Sequence, residues 1–395
     1  MKHQSTSICI GCAKHPILKE FIKSHGRRGP RCAVCGQRDS TTSSPKNTKH
    51  LSMLIRALVR THYSEWEYNP HWGGDDITTL LQKENPIIKT KTAKKNTRDP
   101  LEVESFLVDS IFSNPYPAAD QGISIYAGYD KEGNQLRLLQ SLATHDSPLL
   151  KKIEIKLESE NYFQPEIELK KHLRALEGSI ETFVQPKTIF YRARIGIAGE
   201  YFRPALSEWT PSIRYRPHQS KEIKNPPPPQ ASAGRANRTG VSFFYVASDE
   251  TTAASEVRPH PGHRVSIGSF EATKALRIAD FGRTNIIDSC LSERTLALYH
   301  LAHSIDRALS MPIPPEDQKR YTSTQLIADI IRRQSFDGIR YKSSLSSGTN
   351  ICFFSSEHLR ELENRGKVLQ VKALHYELQP ANTLITPGDD DVKLQ

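Results

Sequence analysis

The chain has 395 residues, 37% hydrophobic and 25% charged. That is room for two or three domains and too apolar for a disordered chain. No run approaches 18 uninterrupted apolar residues, which excludes a membrane-spanning helix, and the 54 Lys and Arg against 44 Asp and Glu, net +10, favour an anionic partner or simply a soluble surface.

The first segment, residues 1–45, carries four of the six cysteines. Cys9 and Cys12 form one C-x-x-C, Cys32 and Cys35 a second, with nineteen residues between the pairs. Two intervening residues let both thiolates of a pair face one tetrahedral ion, so the spacing predicts a structural zinc ribbon. Four sulfur ligands leave no open position for catalysis. Cys290 and Cys352 stand alone in apolar surroundings, so the cysteines do not read as a secreted disulfide framework. No apolar run follows the first basic residues, and the chain reads as cytoplasmic, without a secretory leader.

After a polar linker, Leu51, Leu54, Ile55, Leu58 and Val59 recur at helical spacing. Trp72–Asp76 reads as a turn and residues 89–98 as a lysine-rich loop. Asp99-Pro100 opens a second helix through Leu101, Val103, Phe106, Leu107 and Ile111. A third helix spans about 165–182 with Ile167, Leu169, Leu173, Leu176 and Ile180 inward. Residues 46–182 therefore read as a mainly helical domain. Arg56 and His62 on its first helix have the Arg-x5-His spacing of HEPN-type ribonucleases, a pairing that is also commonplace on helix surfaces.

The pattern changes near residue 186. Thr188–Arg194 reads as a strand, residues 215–233 as a loop with four consecutive prolines, and Ser242–Ala247 as a buried strand. Ser248 or Asp249 caps a short helix holding Glu256. Strands follow at 265–270 and 276–281, then a helix at 290–309 with Leu291, Leu298, Leu301, Ala302 and Ile305 inward. Leu326–Ile331 marks another helix. Further strands follow at 339–341, 350–354 and 368–378, before a loose tail at 381–395. Strands and helices mix without strict alternation, so the fold class is α+β.

Four polar clusters punctuate this half. They are Arg192 inside an apolar strand, the Gly234-Arg235-Ala236-Asn237 turn, Glu256, and Tyr341–Ser344 followed by Gly348-Thr349-Asn350. Half-buried Arg and Glu are costly unless paired or bound. Two arginines suit a pyrophosphate, a carboxylate suits a developing oxocarbenium, and Tyr245 can stack on a flat ring. A plain Arg192–Glu256 ion pair and a core role for Tyr245 are the structural alternatives.

The order FYRAR, GRAN-x-x-G, FFYVA, AASEVRP, FDGI-x-Y-x-SS and GTN-x-x-x-F over residues 186–375 resembles the RES domain family, which implies a RES domain at 186–380. The resemblance implies a fold similar to ADP-ribosyltransferase toxins, NAD+ as substrate, and cleavage of the nicotinamide–ribose bond by phosphate or water. It assigns Arg192, Glu256 and Ser343 as catalytic, with Ser344 the neighbouring alternative to Ser343. It assigns Arg235, Asn237 and Tyr245 to NAD+ binding. Ala236 departs from the family's tryptophan at that point of the turn. The family's toxins are usually paired with an antitoxin protein. The N-terminal half resembles the zinc-ribbon and HEPN-like regions found ahead of some RES domains. The other functions open at this stage are ADP-ribosyl transfer to a macromolecule, nucleic-acid binding through the zinc ribbon, and RNA cleavage by Arg56 and His62.

Overall fold

The computed structural model describes residues 7–38, 41–67, 86–89, 123–126, 141–203, 212–312, 321–375 and 378. The turn expected at Trp72–Asp76, the helix at 99–111, nearly all of the lysine-rich loop and the tail at 381–395 lie outside them.

Helix α1, Pro16–His25, starts with proline in its first turn, and the His15 ring accepts from the Ile17 amide. Its Leu18, Phe21 and Ile22 form one buried stripe. Helix α2, Thr48–His62, buries Leu51, Leu54, Ile55, Leu58 and Val59, as its periodicity predicts. The two helices and the cysteine loops share one core, which also takes in Ile286, Ile287, Cys290 and Leu296 from far along the chain. Polar contacts reinforce this junction. Glu293 receives Arg56 at 2.9 Å and Arg60 at 2.7 Å, and the His50 Nε2–H donates to the Ile287 carbonyl at 2.7 Å.

A nine-stranded sheet organises the rest. Its strands are β1 (Glu181–Val184), β2 (Ile189–Ile195), β3 (Phe244–Ala247), β4 (Arg264–Ala272), β5 (Leu276–Asp280), β6 (Gly338–Lys342), β7 (Thr349–Phe353), β8 (Leu359–Glu361) and β9 (Lys367–Gln370). The order is β8-β4-β2-β3-β7-β6-β5-β1, and β9 also pairs with β4. Only β5 and β6 run parallel. The fold is α+β with a mixed sheet.

Period-two alternation assigns the two faces. Phe244, Val246, Ile351 and Phe353 point to one side with Phe190 and Phe270. Phe243, Tyr245 and Cys352 point to the other, under helices α3 (Pro148–Ser159), α4 (Phe163–Ile180), α6 (Glu293–Ser310) and α7 (Tyr321–Arg333). Packing runs across residue 186. Helices α3 and α4 lie on the sheet, β1 pairs with β5, and Arg277 of β5 binds Glu177 at 2.5 Å and also Glu181.

Several local expectations change. Ile167 is 65% exposed and not part of the α4 stripe. Leu291 is exposed because α6 starts at Glu293, capped by the Ser292 side chain on the Thr295 amide. The last strand covers only Lys367–Gln370. Helix α3, strand β1 and a hairpin of Gly199–Arg203 with Ser212–Arg216 were not anticipated. Among the described residues, no helix is long and apolar enough to cross a membrane.

Candidate active site

One cavity of about 430 Å³ opens at the end of the sheet, within the range of small-molecule sites. Strand β2 contributes Tyr191 and Arg192, and the 233–235 turn contributes Arg235. Strand β3 contributes Tyr245, the short helix α5 (Glu250–Glu256) and its exit contribute Glu256 and Arg258, and Tyr321, Tyr341 and Asn350 complete the wall.

Glu256 is the last residue of α5. Its Oε1 accepts from Ser343 Oγ at 2.7 Å and from Asn350 Nδ2 at 2.7 Å. The helix is fixed at its other end by Asp249, which accepts from the Thr252 amide at 2.8 Å, the Thr252 hydroxyl at 2.7 Å and the Ser248 hydroxyl at 2.9 Å. The Thr252 oxygen in turn accepts from the Ser346 hydroxyl. The loop bearing Ser343 and the helix bearing Glu256 are thus tied at both ends. Gly348 makes this approach possible. A Cβ there would sit 2.1 Å from Thr252 Oγ1.

Arg192 is in the cavity wall but does not bridge to Glu256. Its Nε donates to the Ile223 carbonyl at 2.9 Å and its Nη1 to the Tyr245 carbonyl at 2.7 Å, with the Phe244 ring 5.3 Å away. Among the described residues it has no carboxylate partner. Burial without a counter-ion pushes its pKa down to about 10. The cavity wall therefore holds a cation that an anionic ligand would stabilise. Arg235 donates to the Met311 carbonyl and faces the Tyr321 ring at 5.9 Å.

Tyr245 lines the cavity with its ring, while its hydroxyl belongs to the turn. It donates to Asn237 Oδ1 at 2.7 Å and accepts from the Ala236 amide at 3.0 Å, and burial raises its pKa. Gly234 is needed there, since a Cβ would meet Asn237 Oδ1 at 2.6 Å and the Tyr245 hydroxyl at 2.9 Å. Gln325 of α7 clamps the turn from outside, donating to the Gly234 and Asn237 carbonyls.

Comparison with known families places a RES domain model on residues 211–377. That stretch matches the RES domain family. The matched stretch includes Arg235, Asn237, Tyr245, Glu256 and Ser343 and begins after Arg192. Among solved structures, a chain of the Mycobacterium tuberculosis MbcT–MbcA toxin–antitoxin complex is similar at 11% identity, covering 52% of this chain and 92% of that one, with a TM-score of 0.28. No curated protein matches.

The expected residues divide by position. Arg192, Arg235, Tyr245 and Glu256 line one cavity. Ser343 reaches it through its bond to Glu256, whereas Ser344 is exposed. Asn237 does not line it. It is 5% exposed and its amide donates to the carbonyls of Ser232, Arg238 and Val241, so it shapes the turn. Asn350, Tyr341 and Arg258 belong to the polar clusters of the sequence but were given no role there, and Tyr321 was not picked out. An asparagine heading the apolar strand Thr349–Phe353 was the available signal for Asn350. Nothing in the sequence marked Tyr321.

The four N-terminal cysteines form a separate cluster. All four sulfurs lie within 4.8 Å of one another. Tetrahedral Zn–S bonds near 2.3 Å put ligand sulfurs roughly 3.8 Å apart, so the set fits one ion. The Cys9 amide donates to Cys32 Sγ at 3.3 Å, and Cys9 and Cys35 sulfurs are 3.6 Å apart. Hydrogen bonds from Cys12 and Cys32 pull the Cys9 thiol down to about 4. Burial pushes Cys290 and Cys352 up to about 12, which makes both unreactive. Arg56 is held by Glu293 and Glu65, and the His62 ring lies 5.2 Å from the His15 ring.

Proposed function

We propose that this chain binds NAD+ in the cavity of its RES domain and breaks the nicotinamide–ribose bond. The observation that carries this reading is the pairing of opposite chemistries in one cavity. Glu256 is held by two neutral donors, and Arg192 lacks a carboxylate partner among the described residues. The arginines stay available for an anion, and the carboxylate stays available for a developing cation. Arg192 and Arg235 would take the pyrophosphate, and the tyrosine-rich wall would take the nicotinamide ring.

When the bond from the nicotinamide nitrogen to C1′ breaks, its electron pair leaves with nicotinamide and neutralises the pyridinium charge. The positive charge then develops on the ribose, where Glu256 stabilises it. Oxygen of phosphate or water forms the new bond to C1′, giving a phosphorylated ADP-ribose or ADP-ribose. With water, one proton is released. Ser343 and Asn350 hold Glu256 in place. NAD+ is consumed without a change of oxidation state. The zinc that the cysteines would hold is structural, far from this chemistry in role. The RES resemblance also extends an antitoxin partner to this chain.

The test is incubation of the full chain with NAD+, with and without inorganic phosphate, and separation of products by mass. Phosphate-dependent ADP-ribose phosphate supports a phosphorylase, and plain ADP-ribose a glycohydrolase. Intact NAD+ in both, with no ADP-ribose bound in equilibrium dialysis, overturns the reading.

A further inference from the structure

The hairpin that follows β2 carries side chains the fold does not use. Gly199–Arg203 pairs antiparallel with Ser212–Arg216, matching Gly199 with Arg216, Tyr201 with Arg214 and Arg203 with Ser212. Residues directly opposite share a face. One face therefore bears Tyr201, Arg203, Arg214 and Arg216 and no acid. The other bears Glu200, Phe202, Ile213 and Tyr215. That second face is anchored at its root, where Arg264 lies 4.0 Å from the Tyr215 ring centre and 3.7 Å from Glu200.

The arginine face is open. Arg203, Arg214 and Arg216 are exposed, and among the described residues none of them is in an ion pair. Arg56, Arg60, Arg238, Arg277, Arg307 and Arg333, by contrast, each pair with an acid. Tyr201 is 54% exposed, and its ring lies over Gly199, where a Cβ would be 2.8 Å from the ring. The Tyr201 ring thus rests against Gly199 while more than half of the residue stays exposed.

We propose that this face binds single-stranded nucleic acid. Arg214 and Arg216 are two residues apart on one strand, about 7 Å, and would take successive phosphates of an extended strand. Tyr201 would stack on a base between them. An acidic protein surface would satisfy the guanidinium groups but would not use the open ring. A lipid surface would be met by Phe202 and Ile213, on the opposite face. The net charge of +10 favours the same partner.

The experiment is fluorescence anisotropy of labelled mixed-sequence 20-mers, RNA and DNA, with the full chain over a salt series. Three phosphate contacts predict that R203Q/R214Q/R216Q lowers the log–log salt slope by about 2. The triple Arg→Lys variant keeps the slope, since lysine retains the charge. Tyr201→Ala weakens binding by roughly tenfold with the slope unchanged. Melting curves of each variant exclude misfolding as the cause. Three results overturn the proposal. They are no binding by the wild-type chain, an unchanged slope in the glutamine variant, and binding only to phosphatidylserine vesicles.

Discussion

Ser343 Oγ and Asn350 Nδ2 donate to the same oxygen of Glu256, each at 2.7 Å. Eighty-seven positions separate Ser343 from Glu256, and ninety-four separate Asn350 from it. Two neutral donors orient the carboxylate without neutralising it, which a bound arginine would do. Glu256→Gln should therefore lower NAD+ turnover by roughly 10²–10³ while leaving the fold intact. Asn350→Leu should lower kcat by roughly tenfold, the scale of one hydrogen bond to a charged group. Steady-state kinetics with product analysis by mass checks both. Wild-type turnover in Glu256→Gln would remove Glu256 from the reaction.

Gly348 is a second point of leverage. An added methyl would lie 2.1 Å from Thr252 Oγ1, 2.3 Å from Asp249 Oδ2 and 2.7 Å from Ser248 Oγ. Those atoms form the cap that fixes α5. Gly348→Ala should cost about 1–3 kcal/mol, the usual range for overpacking. It should also displace Glu256 relative to Ser343, so urea denaturation and NAD+ turnover should fall together.

Helix α6 sets a pH dependence. Burial lowers the pKa of His300 and His303, and Arg307 adds to the effect at both. His300 Nε2–H donates to the His145 carbonyl at 2.8 Å, and Tyr299 stacks beside His303. In the unfolded chain these rings titrate near 6.5. A lowered folded value means the unfolded state binds protons first as pH falls. Stability is therefore full above that pH and declines below it, by at most about 1.4 kcal/mol per pH unit per ring. Urea unfolding at pH 7.5 and 5.5 should show a smaller difference in His300→Gln/His303→Gln than in the wild type.

The cysteine cluster predicts one zinc per chain by elemental analysis. Cys32→Ser should abolish it. The cysteine core continues into Ile286, Ile287, Cys290 and Leu296, so loss of metal should also lower the melting temperature of the whole chain. An independent N-terminal transition, with the main transition unmoved, would contradict that coupling.

The sequence by itself determined the local pieces. Periodicity placed the stripes of α1-adjacent α2, of α4 from Leu169 onward and of α7, because a 3.6-residue repeat must bury one face. The apolar runs at Phe244–Ala247 and Thr349–Phe353 became central strands covered on both faces. The C-x-x-C spacing brought the two sulfurs of each pair together because each pair is local, and the fold joined the two pairs. The tertiary structure alone decided which polar groups meet. It gave Glu256 to Ser343 and Asn350 and turned Arg192 toward two carbonyls. It withdrew Asn237 into its turn and brought Tyr321 into the cavity from another helix. It also joined the cysteine module to residues 286–296. Each of these contacts spans the chain or depends on a rotamer, and neither composition nor period carries that information. The reason is physical: burial pattern depends on neighbours in sequence, whereas hydrogen-bond partnership depends on strand order and on where each helix ends.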